Sequence, residues 1–328
     1  MPDSTMTRAV RPSLLLATRA AVHTIGERQP TLRVLLPALG AAQRLAPGAV
    51  AAVVEQLLFR APRSRLTAEG RAFLARGERF EFTRDGRRIV GWTWGQGPTT
   101  YLVHGWGSQA GRLHALGNAI IARGRRLVMF DAPGHGASGR GPTSMPEFAR
   151  TLLAVVAREG EPDAVVAHSM GGAATALAAA WGLEARRFVV LAPAANPAEW
   201  ARSIGEVLAL NLDVMRRLRA RSERRLRLGW RDLDVRVHAR RMSAPLLVIH
   251  DHEDDTVPFS HGADIAHHWP GAELVPTSGL GHRDLLNDPA VIGRVLAFLA
   301  TGTVPTASGT VTALEEELFN RETRRRAG

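Results

Sequence analysis

From about residue 99 to residue 300 the chain repeats one pattern: a short, mostly apolar run, then a longer segment with helical spacing. The runs fall at 100–103, 127–130, 164–167, 188–191, 246–249 and 273–275. They are too short for helices. Runs of this kind separated by helices become strands buried on both faces. Strand and helix alternating along a chain imply an α/β fold, a mostly parallel sheet with helices on both faces. In such sheets ligands bind beyond the carboxyl ends of the strands, so the residues just after each run carry the chemistry.

The flanks follow other rules. Phe80 and Phe82 alternate with polar residues, Asp85-Gly86 supplies a turn, and Ile89, Val90, Trp92 and Trp94 follow, which predicts a β-hairpin. Residues 1–76 read as helices broken at Pro12, Pro30, Pro37, Pro47 and Pro62, with no chemistry visible. Between 194 and 244 the strand rhythm stops. An Arg-rich helical insertion runs there through Trp200, Leu208, Met215, Leu226 and Trp230, in a position that suits a lid. The expected organisation is an N-terminal helical region (1–76), a core in two parts (77–193 and 245–301) around the lid (194–244), and a linker with a charged tail (302–328).

Composition narrows the classes. The chain has no cysteine, which excludes a thiolate nucleophile, a disulfide framework and a cysteine-ligated metal. The net charge is +11, but every basic residue is arginine and the charge is spread along the chain, so nucleic acid is not an expected partner. Arg19, Arg28, Arg33, Arg44 and Glu55 keep every N-terminal apolar run below the roughly 18 residues of a spanning helix. The apolar stretch 14–17 is too short for a signal-peptide core. The Arg-rich first fifty residues fit a helical arm packed on the domain better than a membrane-surface helix or a transit segment. A cytoplasmic location is expected, with peripheral membrane contact through these helices as the alternative; the oligomeric state is left open.

The run at 164–167 is followed by His168-Ser169-Met170-Gly171-Gly172 and an Ala-rich helix. A serine at a sharp strand-to-helix turn has its hydroxyl pushed out of the sheet, and small neighbours such as Gly171 let strand and helix approach. The pattern usually has glycine two residues before the serine; Ala167 stands there. A helix-capping serine is the plain alternative. His104-Gly105-Trp106-Gly107 follows the first parallel run. A developing oxyanion needs two preorganised N–H donors, and the backbones of Trp106 and Met170 are the candidates, with Gly105 supporting and His104 structural. After the run at 246–249 come His250, Asp251, His252, Glu253, Asp254 and Asp255. Asp251, Asp254 and Asp255 each lie where an acid could orient a histidine. Gly279-Leu280-Gly281-His282 supplies that histidine on a glycine-flanked loop. Serine, acid and histidine thus occur in the chain order of a strand-topped hydrolase site.

Residues from about 80 to 300 resemble the α/β-hydrolases of the esterase and lipase type. The resemblance includes Asp131-Ala132-Pro133-Gly134-His135-Gly136-Ala137-Ser138 and the four-residue spacing from Asp254 to Pro258, which selects Asp254 as the acid. It implies the α/β-hydrolase fold and a Ser169–His282–Asp254 triad that cleaves a small-molecule ester or thioester through an acyl-enzyme, without metal or cofactor. Peptidase, lactonase and carbon–carbon hydrolase chemistry occur on the same fold, as do non-catalytic binding modules, although those usually lose a triad member. Trp200 and Trp230 are candidates for the substrate pocket or, equally, for core packing of the lid, and the arginines of 216–231 for a solvated face or an anion-selecting one. His250, His252 and Asp254 also spell an H-x-H-x-D metal string, but that reading leaves Ser169 and His282 unexplained.

Overall fold

A computed structural model describes residues 30–303, with side chains from Ala38 onward. The N-terminal 29 residues and the residues from 304 on lie outside the described residues, and with them the expected break at Pro12 and the expected charged tail.

Eight strands form one sheet in the order β1-β2-β4-β3-β5-β6-β7-β8. They are β1 (Glu78–Arg84), β2 (Arg87–Trp94), β3 (Thr99–Val103), β4 (Arg126–Asp131), β5 (Ala164–His168), β6 (Arg187–Leu191), β7 (Leu246–Asp251) and β8 (Ala272–Thr277). The β1–β2 hairpin is antiparallel and turns at Asp85-Gly86, and β2 joins β4 antiparallel. From β4 to β8 every neighbouring pair is parallel. Each predicted strand is present and extends by a residue or two at one or both ends.

Because side chains alternate along a strand, consecutive residues feed two cores. Tyr101, Val103, Val165, Val190 and Val248 pack on one face against α5 (Met145–Glu159), α6 (Met170–Ala180) and α10 (Phe259–His268). Leu102, Met129, Val166, Val189 and Leu247 pack on the other against α3 (Ala68–Leu74), α4 (His114–Ala122) and α11 (Pro289–Thr301). His267 and His268 end α10, at the negative end of its dipole.

The N-terminal region departs from expectation in two ways. Helix α1 (Pro30–Leu45) runs through Pro37 instead of breaking there: proline forfeits one backbone bond, and the turns on both sides continue. Residues 61–67, after α2 (Pro47–Leu58), form neither helix nor strand where helix was expected. The insertion between β6 and β7 consists of α7 (Pro197–Val207), α8 (Leu212–Leu226), a single turn at Trp230–Leu233 and α9 (Val235–Ala239). Helix α2 packs on this insertion: Val50, Ala51 and Val54 meet Val214 and Leu218. Gln43 of α1 accepts from Asn211 N–H at 2.6 Å and donates to the Ala209 carbonyl at 3.2 Å. Arg221 reaches the buried Glu55 carboxylate at 2.8 Å. Among the described residues no helix is long and apolar enough to cross a membrane.

Candidate active site

Ser169 sits between β5 and α6 with φ 55° and ψ −124°, a conformation that costs a non-glycine residue roughly 1–3 kcal/mol and persists only where its surroundings enforce it. Here they do. Its N–H donates to the Leu191 carbonyl at 2.9 Å, and its carbonyl accepts from Gly172 at 2.9 Å. The turn also needs two glycines. A Cβ on Gly171 would lie 2.5 Å from the His104 carbonyl oxygen, and one on Gly105 would lie 2.8 Å from the Ser169 Cβ. Ala167 replaces the usual glycine without conflict, fully buried in one of the two cores.

The loop after β8 brings His282 to the serine, its Nε2 3.0 Å from the Ser169 hydroxyl. Gly279 and Gly281, at φ 79° and 58°, make the turns. Asp251 anchors this loop: its carboxylate accepts from the Thr277 hydroxyl at 2.7 Å, Leu280 N–H at 3.1 Å and Glu253 N–H at 2.9 Å. Of the three acids left open by spacing, Asp254 is the one that meets His282, with 2.7 Å from Oδ2 to Nδ1. Asp255 is spent on the Thr256 hydroxyl.

Asp254 is held on all sides. Its Oδ1 accepts from Thr256 N–H at 2.8 Å and Val257 N–H at 2.7 Å, and its Oδ2 lies 3.2 Å from His250 Nε2. Burial raises its pKa, but the bonds from His250, His282 and Val257 outweigh burial and hold the carboxyl well below the ordinary range. It therefore stays ionised next to an imidazole that can take up charge.

Three further histidines brace the site, and sequence reasoning assigned only one of them a role. His104 is fully buried; its Nδ1 donates to the Gly105 carbonyl at 2.7 Å and its Nε2 accepts from Ala132 N–H at 3.0 Å. His135 donates to the Pro133 carbonyl at 3.1 Å and accepts from Gly107 N–H at 3.0 Å, tying the loop after β4 to the loop after β3. His168 donates through Nε2 to the His282 carbonyl at 2.9 Å. Desolvation depresses their pKa values, to about 4 for His104 and about 3 for His135 and His168, so all three stay neutral. The available signal for His135 and His168 was position alone: each directly follows a strand or its first turn.

The serine opens into a cavity of about 640 Å³. Trp106 and Met170 line it, and their backbone N–H groups make no hydrogen bond to any described residue. Trp200 lines it as well, its ring 6.3 Å from that of Trp106. Trp230 does not. Its indole N–H donates to Ser222 at 2.8 Å and Arg219 stacks over its ring, so it packs inside the insertion. An unforeseen wall comes from Pro62, Ser64 and Thr67 of the irregular segment after α2, where the sequence showed no chemistry. Of the H-x-H-x-D string, His250 meets Asp254 and the Val257 carbonyl, but His252 turns away and stacks on Phe259, so the three do not converge on one point. Among the described residues no cluster of three His, Asp or Glu side chains could hold a metal.

Residues 98–236 match the family described as serine aminopeptidase, S33, and residues 231–311 the family described as TAP-like protein. The chain has the α/β-hydrolase fold. Solved structures share that fold at low identity. Est1E from Butyrivibrio proteoclasticus, solved with ferulic acid bound, is 20% identical over 68% of this chain and 100% of its own, with a TM-score of 0.55. A hydrolase from Pseudomonas aeruginosa is 24% identical over 69% of this chain and 100% of its own, at 0.53. An esterase from Rhodococcus sp. is 21% identical over 67% of this chain and 98% of its own, at 0.52. Among curated proteins none matches the sequence.

Proposed function

We propose that this α/β-hydrolase is a serine hydrolase that cleaves a carboxylic ester or thioester through an acyl-enzyme. The observation that carries this reading is the hydrogen-bonded chain from Ser169 through His282 to Asp254 at the floor of a cavity. His282 takes the hydroxyl proton as Ser169 Oγ attacks the carbonyl carbon, and ionised Asp254 stabilises the imidazolium that forms. The oxyanion develops toward the N–H groups of Trp106 and Met170, which have no competing acceptor within the protein. His282 returns the proton to the leaving group, and water cleaves the acyl-enzyme by the same route. The helical insertion acts as a lid, with Trp200 over the acyl group. A cavity of about 640 Å³ suits a medium-length acyl chain.

A p-nitrophenyl ester series from acetate to palmitate tests the proposal on wild type and Ser169→Ala. Turnover at medium chain length, abolished in the variant, is the expected result. Full activity in Ser169→Ala would overturn the mechanism. Labelling of Ser169 by a fluorophosphonate without ester turnover would keep the nucleophile and reject the substrate class. An aminoacyl anilide cleaved faster than every ester would move the substrate to amides.

A further inference from the structure

A second concavity, of about 470 Å³, adjoins the Ser169 cavity across a wall one segment thick. In the segment after α2, Pro62 and Ser64 line the first cavity, whereas Arg60, Ala61 and Arg63 line the second. The opposite wall is the loop after β4, with Gly134, Arg140 and Gly141. None of the three arginines makes an ion pair or a side-chain hydrogen bond with any described residue. Nearby Arg87 behaves differently: it donates to the Pro142 carbonyl at 2.5 Å and to Glu147 at 2.6 Å, as an arginine serving the fold does. Gly141, at φ 129°, is exposed on this loop, while Gly134 is buried with its N–H on the Gly139 carbonyl at 2.9 Å.

Three like charges around one concavity repel, and among the described residues no carboxylate neutralises these three. Guanidinium forks match phosphate oxygens, and a phosphate offers enough oxygens and charge for three forks where a carboxylate saturates with one or two. We propose that Arg60, Arg63 and Arg140 form a phosphate-binding site beside the mouth of the Ser169 cavity. The phosphate belongs either to a soluble molecule or to a phospholipid headgroup. The surroundings suit the second source as well as the first: Val53 and Leu57, one turn apart on α2 just before Arg60, are 58% and 62% exposed.

The test uses the full chain and two probes, sodium pyrophosphate by isothermal titration and phosphatidic acid in phosphatidylcholine vesicles by co-sedimentation. Wild type is compared with R60A/R63A/R140A and with R216A/R217A, which removes charge from an exposed stretch of α8. The expected result is that wild type and R216A/R217A bind at least one probe alike, and the triple variant binds it at least tenfold more weakly with an unchanged thermal melt. Pyrophosphate binding names a soluble ligand. Vesicle binding alone, lost also in V53S/L57S, names a headgroup. The site is overturned if neither probe binds wild type, if the triple variant binds as wild type does, or if R216A/R217A loses as much. None of these readouts depends on ester turnover, so an inactive Ser169 leaves the outcome unaffected.

Discussion

Beneath Ser169, the imidazoles of His104, His135 and His168 are buried, neutral and bonded to backbone groups of neighbouring loops. Around the insertion, the polar contacts are ionic and partly open to solvent. Arg236 of α9 joins Glu199 of α7 at 3.1 Å, Asp234 at 2.7 Å and Asp264 of α10 at 3.2 Å, and His261 meets Glu199 at 3.0 Å. Arg221 and Arg225 of α8 approach Glu55 of α2. Contacts of the first kind fix atoms, because a buried backbone group left without its partner costs about 1–3 kcal/mol. Contacts of the second kind can be exchanged for water at less expense. The floor of the cavity is thus rigid, while the helices around it can shift without unfolding the sheet.

The largest test of this contrast is at the floor. Ser169→Ala is expected to lower turnover by about 10⁴–10⁶-fold with an unchanged thermal melt, since the reacting group is lost but no packing is. Turnover and calorimetry on one preparation check it. Asp254→Asn is expected to lower kcat by about 10³–10⁴-fold with KM nearly constant, because the amide cannot hold His282 in the productive tautomer. A KM effect of similar size would mean that Asp254 shapes substrate binding instead.

Acid should also separate the two regions. The folded pKa values of about 4, 3 and 3 for His104, His135 and His168 lie below the unfolded value. The stability they confer is complete above about pH 6.5 and is lost as pH falls toward those values. Near pH 5 the unfolded chain binds about three protons that the folded chain refuses, a slope of up to about 4 kcal/mol per pH unit. Denaturant melts between pH 7 and 5 measure it, and a flat profile would show that the imidazoles protonate in place. The smallest effect is expected at the periphery: Glu55→Gln should cost about 1 kcal/mol and change KM more than kcat. A kcat loss above tenfold would show that the N-terminal helices hold the floor as well.

Much of this was legible because it is local. The strand runs, the Asp85-Gly86 turn and the Ser169 elbow depend on neighbours a few residues apart, and so do the glycines around His282. Choosing Asp254 over Asp251 and Asp255 required a family spacing, since all three lie within five residues at the end of β7 and only the tertiary approach of His282 separates them. The sequence left Trp230 between the pocket and the core of the insertion for a related reason. Hydrophobicity marks a side chain for burial but does not say on which side of a helix pair it is buried.

The order of strand and helix, the positions of Ser169 and His282 just after strands, and the absence of thiol chemistry were determined by the amino-acid sequence alone. Backbone geometry and side-chain period are local properties, and they carry those features. Only the tertiary structure decided that α2 packs on α8, that residues 62–67 form a wall of the cavity, and that Arg60 and Arg63 meet Arg140 across a second one. These partners lie far apart along the chain, and what brings them together is the burial of apolar faces whose fit no local pattern encodes.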